Sequence, residues 1–287
     1  SMMEVYSAEA MQQLYNLTPF IVIGSVLLGV IGIEKRLTGE ALGEALAKAR
    51  EVAPQGNPIA AAITVLRTNS QAWGFFAFIF VAIFSIFLQD NILEPFGAEV
   101  FGMTPGETSS FQQFWGGGVL IGMMIIGALS VLLPFGKRNI AMVGCIGTAL
   151  GMLMLAYAAL SAQEPLVMPA LFLMGIFTGF FNVGALSMMM DMTVEGATGL
   201  YMGLWGMAQA FGNGTASFGG GLLHTSLIET GAFSPSVAYF LIFGVEAIGM
   251  TIAGVILWRL SVQGFHSLHR ATLSDTVLAM EVEVGTV

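Results

Sequence analysis

The chain has 287 residues, of which 56% are hydrophobic and only 9% charged, and its mean hydropathy is +0.82. An ordinary soluble domain carries roughly 25% charge, so these figures exclude a water-soluble fold. Nine Lys and Arg against eighteen Asp and Glu give a formal charge of -9, which argues against a nucleic-acid partner because no basic surface is available to neutralise phosphates.

A membrane-spanning helix needs about 20 mainly apolar residues. Seven stretches qualify, at 15–33, 71–93, 111–133, 140–160, 166–190, 199–223 and 237–258. The first follows an acidic leader (Glu4, Glu9) and lacks a small-residue cleavage site, so it reads as a span and not as a secretory signal. Lys35, Arg36, Lys48, Arg50 and Arg67 fall between the first and second spans, Lys137 and Arg138 between the third and fourth, and Arg259 and Arg270 after the seventh. The alternate loops contain no Lys or Arg. By the positive-inside rule the N-terminus is expected outside and the C-terminus in the cytoplasm.

An odd number of spans with an outside start is what remains when a twelve-span protein with both ends inside is cut just before its sixth helix; the less favoured alternative is a complete seven-helix protein. On the first reading, residues 1–33 form one helix of a preceding half and 34–70 a cytoplasmic linker. Residues 71–260 form a six-helix bundle of two three-helix repeats, and 261–287 a cytoplasmic tail. The linker reads as a surface helix at 41–51 followed by a Pro-Gln-Gly-Asn-Pro break at 54–58. The 37 glycines include G-x-x-x-G pairs at Gly118/Gly122, Gly147/Gly151, Gly175/Gly179 and Gly199/Gly203, spaced for close helix approach.

Ionisable groups within spans are costly and mark candidate sites. Glu246, mid-way along the seventh span, has no Lys or Arg in any span to pair with, so it is protonated, hydrogen-bonded, or paired with something beyond this segment. At the outer end of the second span stand Gln89, Asp90, Asn91 and Glu94. Asp90 and Glu94 are four apart and on one helical face, placed either to ligate a cation or a magnesium-centred pigment or simply to lie wetted at a helix end closed by Pro95 and Gly97. His224, ending the sixth span, could supply a neutral imidazole to magnesium or merely sit at the interface. Asp191 and Glu195, with Thr193, precede the sixth span at a cytoplasmic turn, as helix caps or as parts of a conformational gate. His266 and His269 lie in the tail. The single cysteine, Cys145, permits no intrachain disulfide and no Cys cluster for metal. No metal site is expected, and no nucleophile-plus-base set or phosphate loop is present.

Two segments are more particular. Residues 89–102, Gln-Asp-Asn-Ile-Leu-Glu-Pro-Phe-Gly-Ala-Glu-Val-Phe-Gly, resemble the QDxxLEPFGxxVF segment of the PucC/LhaA family, a branch of the major facilitator superfamily in photosynthetic organisms. Residues 191–210, from Asp191-Met192-Thr193 through Tyr201-Met202-Gly203-Leu204-Trp205 to Gln209-Ala210, are similar to that family's DMTxxGxxGxYMGxWxMAQA segment. The resemblance implies an all-α, major-facilitator-like bundle covering the C-terminal half of a member plus one helix. It also implies residence in a thylakoid or bacterial photosynthetic membrane and a role in assembling light-harvesting complexes.

The partners so implied are antenna proteins, the lipid bilayer, the absent N-terminal half, and chlorophyll or bacteriochlorophyll. Asp90, Glu94 and His224 would then be candidate pigment ligands, and Tyr201 and Trp205 would stack on a macrocycle or pack in the core. The superfamily's Gly-x-x-x-Asp-Arg-x-Gly-Arg-Arg loop is reduced here to residues 133–139, Leu-Pro-Phe-Gly-Lys-Arg-Asn. A non-enzymatic, membrane-embedded assembly factor that binds or delivers chlorophyll-type pigment is therefore the leading expectation. The alternatives are a proton-coupled transporter cycling through Glu246 and a scaffold that binds antenna helices without pigment.

Overall fold

A computed structural model of the chain describes residues 8–31, 38–40, 42–44, 46–47, 58–132, 135–194 and 197–268, and every regular element among them is helical. Its contacts divide it into two units, Ser1–Ala53 and Pro54–Val287. The first unit contains helix α1, Ala8–Val30, whose apolar side chains Phe20, Ile21 and Leu28 are exposed. Of the expected linker helix at 41–51, residues 42–44 and 46–47 are helical. Lys35, Arg36, Lys48, Arg50, Glu195, His269 and Arg270 lie outside the described residues.

The second unit begins with a short amphipathic helix, α2 (Pro58–Thr68), and then α3 (Ser70–Phe87) and α4 (Leu93–Phe101). The long helices α5 (Ser110–Leu132), α6 (Lys137–Ser161), α7 (Val167–Asp191), α8 (Thr198–His224) and α9 (Pro235–Arg259) follow. Among the described residues five segments are long and apolar enough to cross a bilayer: Ser70–Asn91, Pro105–Ser130, Lys137–Ser161, Glu164–Asp191 and Pro235–Arg259. The chain is thus an all-α membrane bundle. Helix α8 has 27 residues, about 40 Å at 1.5 Å per residue, but its Gly, Asn, Gln, Ser and Thr content keeps it out of that set.

Helix α5 packs on α7, α7 on α6, α6 on α9, α9 on α3, and α3 on α8. Exchanging α3, α5, α6 for α7, α8, α9 reproduces these five pairings, the pattern that two three-helix repeats would give. This order leaves α5 and α8 at the two ends of the row. Residues Arg67, Lys137, Arg138 and Arg259 gather at one end of the bundle, called here the basic end. Asp90, Glu94, Glu99, Glu107, Glu164 and Glu229 gather at the other, the acidic end.

Glycine makes the tight contacts possible. Gly118 and Gly122 on α5 face Gly175 and Gly179 on α7 so closely that a methyl at Gly122 would strike the Ile176 carbonyl and one at Gly179 the Val119 carbonyl. Gly147 and Gly151 serve α6 in the same way against Phe177 and Met174. The Gly199/Gly203 pair differs from the sequence expectation. Both residues face open space, because that side of α8 has only a shallow groove against Ile59 and Ala62 of α2.

The expected span at 71–93 is also revised. Helix α3 stops at Phe87, a 3₁₀ turn runs through Leu88–Asn91, and α4 starts afresh at Leu93. Pro95 supplies the reason: it has no N–H to give the Asn91 carbonyl, and its ring would clash there in a continuous helix. Pro95 and Gly97 consequently lie inside α4, which ends at Gly102 in the left-handed conformation (φ 70). Gly97 lets Thr108 and Phe111 pack against α4.

Candidate functional site

The break at Leu88–Asn91 separates the residues that sequence spacing placed on one face. Asp90 is exposed beside Gln112, and Glu94 is exposed on α4, one element further on. Asn91 donates its side-chain amide to the Ser217 carbonyl of α8 at 3.2 Å, tying the turn to that helix. Gln89 turns inward and is 1% exposed, and its Oε1 has no partner among the described residues.

A second acidic-end cluster centres on Glu99, which the sequence reading did not single out. Its Oε1 lies 3.0 Å from His224 Nε2, and its Oε2 accepts from the Tyr239 hydroxyl at 3.0 Å. His224 Nδ1 is 3.9 Å from a Glu229 carboxylate oxygen. Both imidazole nitrogens of the candidate pigment ligand therefore face carboxylates. Phe96 stacks its ring edge on Phe243 at 5.0 Å and lies 5.2 Å from Tyr239, so the cluster rests on an aromatic floor joining α4 to α9. Glu99 occupies a variable position of the QDxxLEPFGxxVF segment, and only its place on the second turn of α4 would have drawn attention to it.

Tyr201 and Trp205 are buried, at 2% and 0% exposure. Trp205 meets Phe75 edge-on at 4.8 Å, and Tyr201 meets Phe265 edge-on at 5.4 Å. These two rings pack the interior of the bundle between α3, α8 and the segment after α9. Glu246 is fully buried on α9, and neither of its carboxylate oxygens has a hydrogen-bond partner among the described residues.

At the basic end, Lys137 Nζ donates to Asp191 Oδ1 at 2.7 Å, and His266 Nε2 donates to the Asp191 carbonyl at 2.9 Å. Arg138 donates to the Leu260 carbonyl at 3.3 Å, and the Ser261 N–H to Gln71 Oε1 at 2.8 Å. Asp191 thus joins α7 to the start of α6 and to the helical segment at 262–268, instead of capping α8. Thr193 bonds back to the Met190 carbonyl.

A cavity of about 300 Å³ opens between α3, α5, α7 and α8, with Ile79, Met123, Phe181, Asn182, Met189 and Gln209 among its walls. Its polar groups are two neutral amides. Gln209 belongs to the second signature segment, and Asn182 was missed, although a single amide inside a 25-residue apolar helix is itself a signal. Among the described residues no group of three or more His, Cys, Asp or Glu could hold a metal ion.

A helical membrane bundle with neutral amides in an apolar interhelical cavity, and with six of its described carboxylates grouped at one end, is the class of protein these elements define. The chain belongs to the PucC protein family, which it matches over residues 3–265. It is 32% identical over 270 residues to the bacteriochlorophyll synthase 44.5 kDa chain of Rhodobacter capsulatus, covering 88% of this chain and 57% of that relative. It is 29% identical over 168 residues to protein PucC of Cereibacter sphaeroides, covering 56% of this chain and 35% of that one. A third relative, an uncharacterized protein of the puhA-bchM intergenic region of Rhodobacter capsulatus, is 26% identical over 189 residues, 63% of this chain and 39% of the relative. The chain therefore spans about half the length, or less, of the curated relatives it matches.

Proposed function

We propose that this chain is part of a non-enzymatic membrane factor that handles chlorophyll-type pigment during assembly of light-harvesting complexes in a photosynthetic membrane. Membership of the PucC family over residues 3–265 carries the reading, and the names of two relatives point to bacteriochlorophyll and to PucC itself. The cavity between α3, α5, α7 and α8 suits such a ligand in kind. Its walls are apolar, as a chlorin ring and its hydrocarbon tail require, and Asn182 and Gln209 offer amide N–H donors for ring carbonyls. Such a cavity takes part of a macrocycle, the rest lying over its open side.

His224 is a weaker ligand candidate than its residue type suggests, since Glu99 and Glu229 already face its two nitrogens. Asp90 and Glu94 are exposed at the acidic end, away from the apolar cavity, so the neutral amides Asn182 and Gln209 are the preferred pigment contacts.

The test is crosslinking of the full-length protein to antenna subunits in a pigment-making host, repeated with pigment synthesis blocked. Capture that requires pigment supports pigment-linked assembly. Capture that persists unchanged without pigment favours a pure scaffold, and no capture in either condition removes the assembly role.

A further inference from the structure

Glu246 presents a problem that the pigment reading does not absorb. It is 0% exposed, and both carboxylate oxygens lack a partner among the described residues. The described Lys and Arg of this unit, Arg67, Lys137, Arg138 and Arg259, all lie at the basic end; Arg259 is thirteen residues further along the same helix, about 20 Å away. An ionised carboxylate at this position would be shut off from solvent and, among the described residues, without a counter-charge.

One neighbouring group has the complementary deficit. Gln89 Oε1 is a buried acceptor with no donor among the described residues. Helices α3 and α9 run antiparallel, and a methyl at Gly249 would fall on the Ser85 hydroxyl, so those two residues are level with each other. Gln89 lies four residues from Ser85 toward the acidic end, and Glu246 three residues from Gly249 in the same direction. Their heights differ by about 2 Å at the rises of α and 3₁₀ helices. Each is on the face of its helix that meets the other, since Ser85 and Gln89 are four apart and Glu246 and Gly249 three. Packing of Phe96 on Phe243 closes this layer on the acidic side.

We propose that Glu246 and Gln89 form a proton-binding site sealed between α3 and α9, in which the Glu246 carboxyl carries the proton and donates its O–H to Gln89 Oε1. One proton satisfies both residues. The other ionisable groups around α9 leave it without a competitor. Cys145 on α6 is buried beside Gly254, further toward the basic end, and Tyr239 is engaged by Glu99, which also holds His224. Glu94 and Glu229 are exposed at the acidic end. Among the described residues Asp90 is a carboxylate that acts on Glu246, and it is exposed at the acidic end. Release of the proton would place a second negative charge near Asp90 and in an apolar wall, driving α3 and α9 apart. This site stands independently of pigment handling.

Infrared spectroscopy of the purified full chain at neutral pH tests it. The expected result is a carboxylic-acid C=O band that Glu246→Gln abolishes and Asp90→Asn retains. In Gln89→Leu the same band moves to higher wavenumber, because the carboxyl loses its hydrogen-bond acceptor. Absence of an acid band in the unsubstituted protein, its survival in Glu246→Gln, or an unmoved band in Gln89→Leu overturns the proposal. If Glu246→Gln does not accumulate as folded protein, the Gln89→Leu shift decides alone.

Discussion

Asn69 and Phe265, 196 residues apart, meet at the basic end of the bundle, where the Asn69 side chain donates to the Phe265 carbonyl at 3.1 Å. The same side chain caps α3, its Oδ1 accepting from the N–H groups of Gln71 and Ala72 at 3.0 and 3.1 Å. One buried amide therefore starts the first long helix and fastens the segment that follows the last. Asn69→Ala should destabilise the bundle by about 2 kcal/mol, combining a cap and a buried hydrogen bond of about 1 kcal/mol each. Asn69→Asp keeps the acceptor and should lose only part of this. Thermal unfolding in detergent, followed by loss of helix signal, measures both.

The Tyr239 to Glu99 bond joins α9 to α4 and holds the carboxylate that faces His224. Tyr239→Phe should cost about 1.5 kcal/mol, as expected for a hydrogen bond to a charged acceptor. Because the two side chains share one interaction, Tyr239→Phe and Glu99→Gln should be less than additive when combined. Additivity in a double-mutant cycle would show that they do not act on each other.

Glycine substitutions separate packing from spacing. Gly122→Ala and Gly179→Ala, each directed at a backbone carbonyl of the facing helix, should cost about 1–3 kcal/mol by overpacking. Gly203→Ala meets open space and should be neutral or stabilising by up to about 1 kcal/mol, since Ala is the better helix former. Equal losses at all three positions would contradict the helix order described.

The Lys137–Asp191 pair is half exposed on one side and about a third on the other, 50% and 36%. Lys137→Ala should therefore cost less than about 1 kcal/mol, with the difference shrinking at high salt. His266→Ala removes a bond to a backbone carbonyl and should show no such salt dependence.

Much of the helical order was legible in residue order alone, because apolar runs of bilayer length leave few other solutions. Pro95 was equally visible and reads as closing the helix end, but the break falls earlier, at Leu88–Asn91, so Pro95 lies inside a new helix and Asp90 and Glu94 belong to different elements. G-x-x-x-G spacing announced close approach at Gly118/Gly122 and at Gly199/Gly203 alike. Only the first found a partner, since burial depends on which helix arrives opposite. Glu246 was conspicuous as a lone charge in an apolar run, whereas Gln89, which faces it, looked like part of a surface cluster. Glu99 and Asn182 escaped because their roles come from residues over a hundred positions away or from cavities bounded by several helices.

Pigment retention tests the central reading most directly. The full-length protein, purified from a host that makes chlorophyll or bacteriochlorophyll, should show the pigment's absorption bands. Asn182→Leu with Gln209→Leu should reduce them severalfold, while His224→Ala leaves them unchanged. A colourless preparation from pigment-replete membranes would contradict pigment handling, and loss of colour in His224→Ala alone would move the site to the acidic end.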